Sequence, residues 1–136
     1  MTTKLPAPET LLDSLTVGEA MHRGIVTCAP TAGLREVAEL LAEHRVHCAV
    51  VAGDPGRALW GILSDLDLMR GLCSPVPLAA GNLAALDVVT VTPEDELRRA
   101  AQLMAEHDTA HLIVVDGGTP VGILSTLDIA RAAARA

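Results

Sequence analysis

Two runs in this chain place a hydroxyl and a carboxylate at the same spacing: Ser64 with Asp67, and Ser125 with Asp128. They lie in near-copies, Gly61-Ile62-Leu63-Ser64-Asp65-Leu66-Asp67 and Gly122-Ile123-Leu124-Ser125-Thr126-Leu127-Asp128, which differ at one residue. Each begins as an apolar run of β type, Trp60 to Leu63 or Val121 to Leu124, and passes at the serine into a helical pattern. A strand is therefore expected to run straight into a helix. The first turn of such a helix offers unsatisfied N–H groups and the positive end of the macrodipole, which attract phosphate and other oxyanions. An Asp three residues on can take ribose hydroxyls, as the acidic residue of dinucleotide folds does. Ser-x-x-Asp is equally a capping box, in which the two side chains satisfy each other's backbone N–H groups. Spacing alone leaves both readings open, and repetition in equivalent frames favours a ligand.

Other chemistry finds less support. Arg70 and Arg131 follow Asp67 and Asp128 by three residues, either as ion-pair partners on a helix face or as phosphate contacts. His44, His47, Cys48 and Cys28 could be imagined around zinc, but no CxxC or HxxxH frame supports them, so no metal is expected. A Cys/His nucleophile lacks an orienting third group and an oxyanion hole. Asp67 and Asp128 could suggest paired-carboxylate acid/base work, yet they are equivalent by repetition, whereas acid and base need different environments. No catalytic residue and no cofactor is expected.

Composition narrows the classes further. The 136 residues suit one ordinary domain or two small units sharing a core, and half are hydrophobic. Trp60 is the one aromatic residue, with no Phe or Tyr, which removes the stacking platforms that hold single-stranded nucleic acid. A net charge of −7 without a basic run makes a phosphate backbone an unsuitable partner. The first fifteen residues contain Lys4, Pro6, Pro8, Glu9 and Asp13 and do not read as a signal or transit peptide, and no apolar run is long enough to span a membrane. A soluble, cytoplasmic protein is expected. Cys28, Cys48 and Cys73 read as buried small hydrophobes in a reducing compartment.

The elements that must position the two motifs can be read in order. Residues 1–13 form a Pro-containing tail expected to be flexible until it docks. Thr16-Val17-Gly18-Glu19 is a capping box opening a short helix through Met21 and His22, and Ile25 to Cys28 is a short extended segment stopped by Pro30. An amphipathic helix follows from about Ala32 to His44, then a strand from Cys48 to Ala52, a turn at Gly53-Asp54-Pro55-Gly56, and a strand from Leu59 to Leu63. The helix from Asp65 to about Leu72 is broken by Ser74-Pro75-Val76-Pro77, and Leu78 to Leu86 reads as a short helix or loop. The pattern then restarts. Val88 to Thr92 is extended; Leu97, Ala100, Ala101, Leu103 and Met104 make a helical stripe; His111 to Val115 is a strand. Asp116-Gly117-Gly118-Thr119 is a hairpin turn, Val121 to Leu124 a strand, and Thr126 to about Ala134 a helix. Thr27 and Thr90, Pro30 and Pro93, and Leu34 and Leu97 are each 63 residues apart; Ser64 and Ser125, and Asp67 and Asp128, are 61 apart, the second hairpin turn being shorter. This is a tandem duplication: repeat one over 14–73, a linker over 74–79, repeat two over 80–136.

A repeat of short strand, helix, strand, strand, helix, with Thr-x-x-Pro before the main helix and Gly-hydrophobic-x-Ser-x-x-Asp after the last strand, resembles the CBS domain, named after cystathionine beta-synthase. The likeness covers roughly residues 14–136. It implies an α/β (α+β) fold of two β-α-β-β-α units packed through their sheets with pseudo-twofold symmetry, leaving two equivalent clefts. It also implies a homodimer, and a sensor rather than a catalyst, binding an adenosine derivative such as AMP, ADP, ATP or S-adenosylmethionine. On that basis Asp67 and Asp128 would bind ribose hydroxyls, with Ser64 and Ser125 beside the phosphate. Ile25, Val26 and Thr27, or Val88, Val89 and Thr90, would hold the base. The Ser/Asp of one repeat would face the segment before the first strand of the other. Family members often carry a basic residue before Leu-Pro in the second strand; here Ala49-Val50 and Leu112-Ile113 replace the Leu-Pro, and Cys48 and His111 stand at the basic position. His111 would supply a partial phosphate contact, which makes the Ser125/Asp128 cleft the better nucleotide site. With no further domain expected, the output would pass to a separate effector protein; the alternative is a ligand-free dimerisation or scaffolding module.

Overall fold

Apolar residues at helical spacing build the two longest helices. In α2 (Leu34–His44) Val37 and Leu41 face the core, and in α5 (Leu97–His107) Leu97, Ala100 and Met104 do so, while the charged residues stay outside. Both end on a left-handed residue, Arg45 (φ 53°) and Asp108 (φ 49°), 63 positions apart like the rest of the repeat. The structure is a computed structural model that describes residue 5 and residues 7–53 and 60–136; the expected turn from Asp54 to Gly56 and the expected strand residue Leu59 lie outside the described residues.

The remaining elements are short. They are α1 (Val17–Ala20), β1 (His22–Arg23), β2 (Thr27–Cys28), β3 (Cys48–Ala52), β4 (Trp60–Ser64), α3 (Asp65–Leu72), α4 (Ala80–Leu83), β5 (Thr90–Val91), β6 (His111–Asp116), β7 (Thr119–Ser125) and α6 (Thr126–Ala134). Both main helices start two residues or less from where their patterns begin, and α3 and α6 start directly at the residue after each serine. The extended segments expected at 25–28 and 88–92 pair for only two residues each, because each is an edge strand that runs at once into its Thr-x-x-Pro turn. Gly117 and Gly118 both take positive φ (58° and 81°), as a two-residue hairpin turn requires, and close β6 onto β7. Within the expected tail, Pro8–Leu12 forms a 3-10 turn, and Asp13 forms an ion pair with Arg98 of α5 at 2.7 Å.

The chain divides into two compact units that are cut differently from the sequence repeats. One combines the chain up to Gly24 with Val89–Ala136, and the other is Ile25–Val88. The first holds a four-stranded sheet in the order β1-β7-β6-β5, over a core that includes Val17, Val91, Leu97, Met104, Leu112, Val114 and Leu124. The second holds a three-stranded sheet in the order β2-β3-β4, over a core that includes Cys28, Val37, Leu41, Ala49, Val51, Leu63 and Leu68. Each unit therefore receives its short opening helix from the other repeat.

The Thr-x-x-Pro turn is where that helix attaches. In the first unit the Pro93 carbonyl accepts from Gly18 N–H at 2.8 Å and the Asp95 carbonyl from Val17 N–H at 2.9 Å. In the second the Pro30 carbonyl accepts from Gly81 N–H at 2.8 Å and the Ala32 carbonyl from Ala80 N–H at 2.9 Å. These bonds occupy N–H groups that the first turn of a helix otherwise leaves unpaired. A one-turn helix would not persist in isolation. Here Val17 and Ala80 are fully buried, so tertiary packing holds it in place.

Candidate functional site

Each Ser-x-x-Asp run forms at the junction that its patterning predicts, a strand passing directly into a helix. In the second unit β4 ends at Ser64, whose backbone is extended, and α3 begins at Asp65. Ser64 N–H donates to Asp67 Oδ2 at 2.9 Å, the Ser64 hydroxyl donates to the same oxygen at 2.9 Å, and Asp67 N–H donates back to Ser64 Oγ at 3.2 Å. Arg70 reaches Asp67 Oδ1 at 3.3 Å from the solvent side, itself mostly exposed. The Asp67 side chain retains 21% exposure.

In the first unit β7 ends at Ser125 and α6 begins at Thr126. Ser125 N–H donates to Asp128 Oδ2 at 2.8 Å and Asp128 N–H to Ser125 Oγ at 3.2 Å. The other oxygen, Asp128 Oδ1, is met by His22 Nδ1 at 2.8 Å, with Arg131 further off at 3.9 Å. A carboxylate can only accept, so in this contact Nδ1 is the protonated nitrogen. The Asp128 side chain is 2% exposed, and among the described residues Asp128 is the one buried charged residue. It lies in the wall of a cavity of about 710 Å³ in the same unit, which is also lined by Asp13, Glu19, His22, Arg131 and Arg135.

The chain before β2 brings His22 there. As β1, His22 and Arg23 pair antiparallel with Ile123 and Gly122 of β7, so the histidine arrives opposite a residue two positions before Ser125. Gly122 permits this approach: a Cβ at that position would run into the His22 carbonyl oxygen and the Met21 methyl. In the second unit the corresponding passage is a single bridge, in which Ile62 and Ala85 exchange hydrogen bonds of 3.0 and 2.8 Å. There a Cβ on Gly61 would meet the Ala84 methyl at 2.8 Å. Ala85 stands 63 residues after His22 and carries nothing that could reach a carboxylate. In the second unit His47 instead takes Asp65 at 2.9 Å, the residue beside Ser64.

The other expected contacts distribute between the units. The second contains Ile25, Val26, Thr27, Ser64, Asp67 and Val88; the Val26 carbonyl accepts from Val50 N–H at 2.8 Å, its side chain packs on the core, and Thr27 is exposed. The first contains Val89, Thr90, His111, Ser125 and Asp128; Thr90 is exposed and Val89 packs on the core. His111 lies directly opposite Ser125 in the β6–β7 ladder, as Cys48 lies opposite Ser64 in β3–β4. His22 is the residue that pattern reading did not place at either motif. Its signal was the repeat itself, since aligning the two halves sets a histidine against an alanine.

The rival metal and nucleophile readings gain nothing from the geometry. Among the described residues no three His, Cys, Asp or Glu side chains are grouped to hold a metal ion. Burial, with a smaller contribution from the Asp65 carboxylate, pushes the Cys48 thiol up to about 11, and burial followed by Glu36 raises that of Cys28. Both stay protonated near neutral pH, the form that is neither nucleophile nor ligand. Among the described residues no helix is long and apolar enough to cross a membrane.

Comparison with known proteins agrees with this architecture. The family model for the CBS domain matches twice, over residues 17–74 and 80–135. An uncharacterized protein of Methanopyrus kandleri is 30% identical over 121 residues, spanning 85% of this chain and 61% of that one. A homoserine O-acetyltransferase of Methanohalophilus mahii is 33% identical over 119 residues, 86% of this chain but 24% of the enzyme. The chain thus spans under two thirds of the length of both relatives. Among solved structures, CBSX2 in complex with AMP superposes with a TM-score of 0.73 at 27% identity, covering 90% of this chain and 98% of that one. Two family matches over most of the sequence, on a strand-to-helix motif formed twice, establish that the chain belongs to the CBS domain family.

Proposed function

We propose that this chain is a regulatory, non-catalytic module that takes an adenosine-containing ligand, AMP, ADP, ATP or S-adenosylmethionine, at its Ser-x-x-Asp openings. In this reading it works as a homodimer in the cytoplasm and passes the ligand's presence to a separate effector protein. The observation that carries the reading is the state of the carboxylate at each opening. One oxygen is fixed by the backbone N–H of the serine, so that the second is aimed by the helix start without being used up by it. That is what reading a ribose diol requires, and the AMP held by CBSX2 is a ligand of that chemistry. Asp67 and Asp128 bind the ribose, Ser64 and Ser125 lie beside the phosphate, and the backbone at 25–27 and 88–90 holds the base. His111 sits behind Ser125 as a partial phosphate contact. The homodimer has a candidate face in α3, where Leu66, Met69 and Leu72 are each about half exposed.

One specific observation favours the other reading, a ligand-free scaffold: all four motif side chains already hydrogen-bond within their own helix starts. Calorimetry separates the two. Folded, ligand-free protein titrated with AMP, ADP, ATP and S-adenosylmethionine should give heat with at least one, and Asp67→Ala should weaken that binding by about tenfold or more, the loss of one charged hydrogen bond. No heat with any of the four leaves the scaffold.

A further inference from the structure

Of the contacts in which the two openings differ, the one at the free carboxylate oxygen decides how a ligand could use them. Asp128 Oδ1, the oxygen not held by the backbone, accepts from His22 Nδ1 at 2.8 Å and is closed off from solvent, whereas Asp67 Oδ1 meets the exposed Arg70 at 3.3 Å. We propose that His22 is a specificity-determining residue: it occupies at Asp128 the acceptor position that a ribose hydroxyl would otherwise take, so that the Asp67 opening fills first and the Asp128 opening takes ligand only when the imidazole is displaced.

The chemistry is a competition between like donors. A ribose hydroxyl and an imidazole N–H both donate to a carboxylate oxygen, and the two cannot share one inward-facing lone pair in a wall only 2% exposed. His22 is free to leave, its own side chain being 67% exposed with the cavity beside it, so displacement moves a ring and leaves the fold intact. Its backbone remains fixed by pairing with Ile123, which returns the ring to Asp128 when ligand departs. The duplication supplies the contrast, because Ala85 at the matching position makes no such contact, and His47 in that unit takes Asp65 and leaves Asp67 alone.

This inference rests on adenosyl binding at the openings, and the experiment keeps the two apart. In an Asp67→Asn background, which retains a capping oxygen but removes the first opening's charge, AMP, ATP and S-adenosylmethionine are titrated into the protein with His22 intact, with His22→Ala and with His22→Asn. The asparagine amide stands close to where Nδ1 stood and retains the donor. The expected result is an affinity about tenfold or more higher for the alanine variant than for the His22 protein, with the asparagine variant close to the latter. A purely structural histidine would lower melting temperature in the alanine variant without raising affinity. Unchanged or weaker binding in His22→Ala, where the His22 protein binds, overturns the latch alone. Absence of binding in every protein, wild type included, overturns adenosyl sensing and the latch with it.

Discussion

The openings at Ser64 and Ser125 share six of seven residues, and nevertheless present their carboxylates in opposite states. Asp67 keeps a fifth of its side-chain surface, bound by its own serine and by an arginine one turn along the helix. Asp128 is buried, held by a histidine that comes from 106 positions earlier in the chain, as the numbering shows. The heptapeptides differ only where Asp65 corresponds to Thr126; the segments laid against them differ at the residue that reaches the carboxylate. After duplication, then, a Ser-x-x-Asp motif can stay fixed while its exposure is set by a residue in the crossing strand, outside the motif itself.

The largest expected effect tests how closely that strand approaches. At Gly122 an added Cβ collides with the backbone carbonyl of His22, which can move only by breaking β1 from β7; at Gly61 it meets mainly the Ala84 methyl, beside a single bridge. Gly122→Ala should cost about 3 kcal/mol and Gly61→Ala about 1 to 2 kcal/mol in urea unfolding, since overpacking is relieved where neighbours can shift. Equal losses would mean that the two passages are equally tight.

The carboxylates themselves come next. Asp128→Ala leaves a half-buried Ser125 N–H without its acceptor and removes the His22 contact, for an expected loss of about 2 kcal/mol. Asp67→Ala takes away a partly exposed cap, worth about 1 kcal/mol. Thermal unfolding of the two variants side by side would sharpen the contrast, and a larger loss at Asp67 would reverse it.

A third difference lies in the thiols. Cys28 and Cys48 both belong to the second unit, and the matching positions of the first are Val91 and His111. Because the folded protein holds the Cys48 pKa up at about 11, against 9.0 ordinarily, the neutral thiol's contribution is fully present below about pH 9 and is lost as pH rises towards 11. A rise from 9.0 to about 11 corresponds to roughly 2 to 3 kcal/mol. Stability measured from pH 8 to 11 should fall more steeply for the wild type than for Cys48→Val, and at pH 8 a thiol reagent should label the exposed Cys73 while sparing the other two until unfolding. Parallel pH profiles would show that Cys48 ionises without strain.

Much of this was legible because the signals are local. The stripe from Leu97 to Met104 sets α5, the Gly117-Gly118 pair sets the hairpin, and serine after an apolar run sets each helix start. Thr-x-x-Pro marked its turn correctly, yet its proline carbonyl serves a helix from the other repeat, and no periodicity records a partner so far along the chain. His22 is illegible for the same reason: its neighbours in sequence give it no chemistry, and its contact exists only once β1 lies on β7. Gly61 and Gly122 were visible as repeated glycines, while the need for them, a backbone passing overhead, arises from tertiary structure alone.

The smallest expected effect concerns the ends of the two main helices, where the units match in geometry and differ only in residue. Arg45 and Asp108 both hold left-handed backbone, at φ 53° and 49°. That region crowds the Cβ of an L-residue, at a cost of roughly 1 kcal/mol, but aspartate tolerates it better because its short side chain bonds locally. Glycine removes the crowding and adds chain entropy to the unfolded state, so the two terms partly cancel. Arg45→Gly should therefore stabilise by about 0.5 kcal/mol and Asp108→Gly by close to zero. Urea midpoints resolve that difference if the slopes agree. A greater gain at Asp108 would mean that the arginine side chain, rather than its backbone, is what the second unit depends on at this corner.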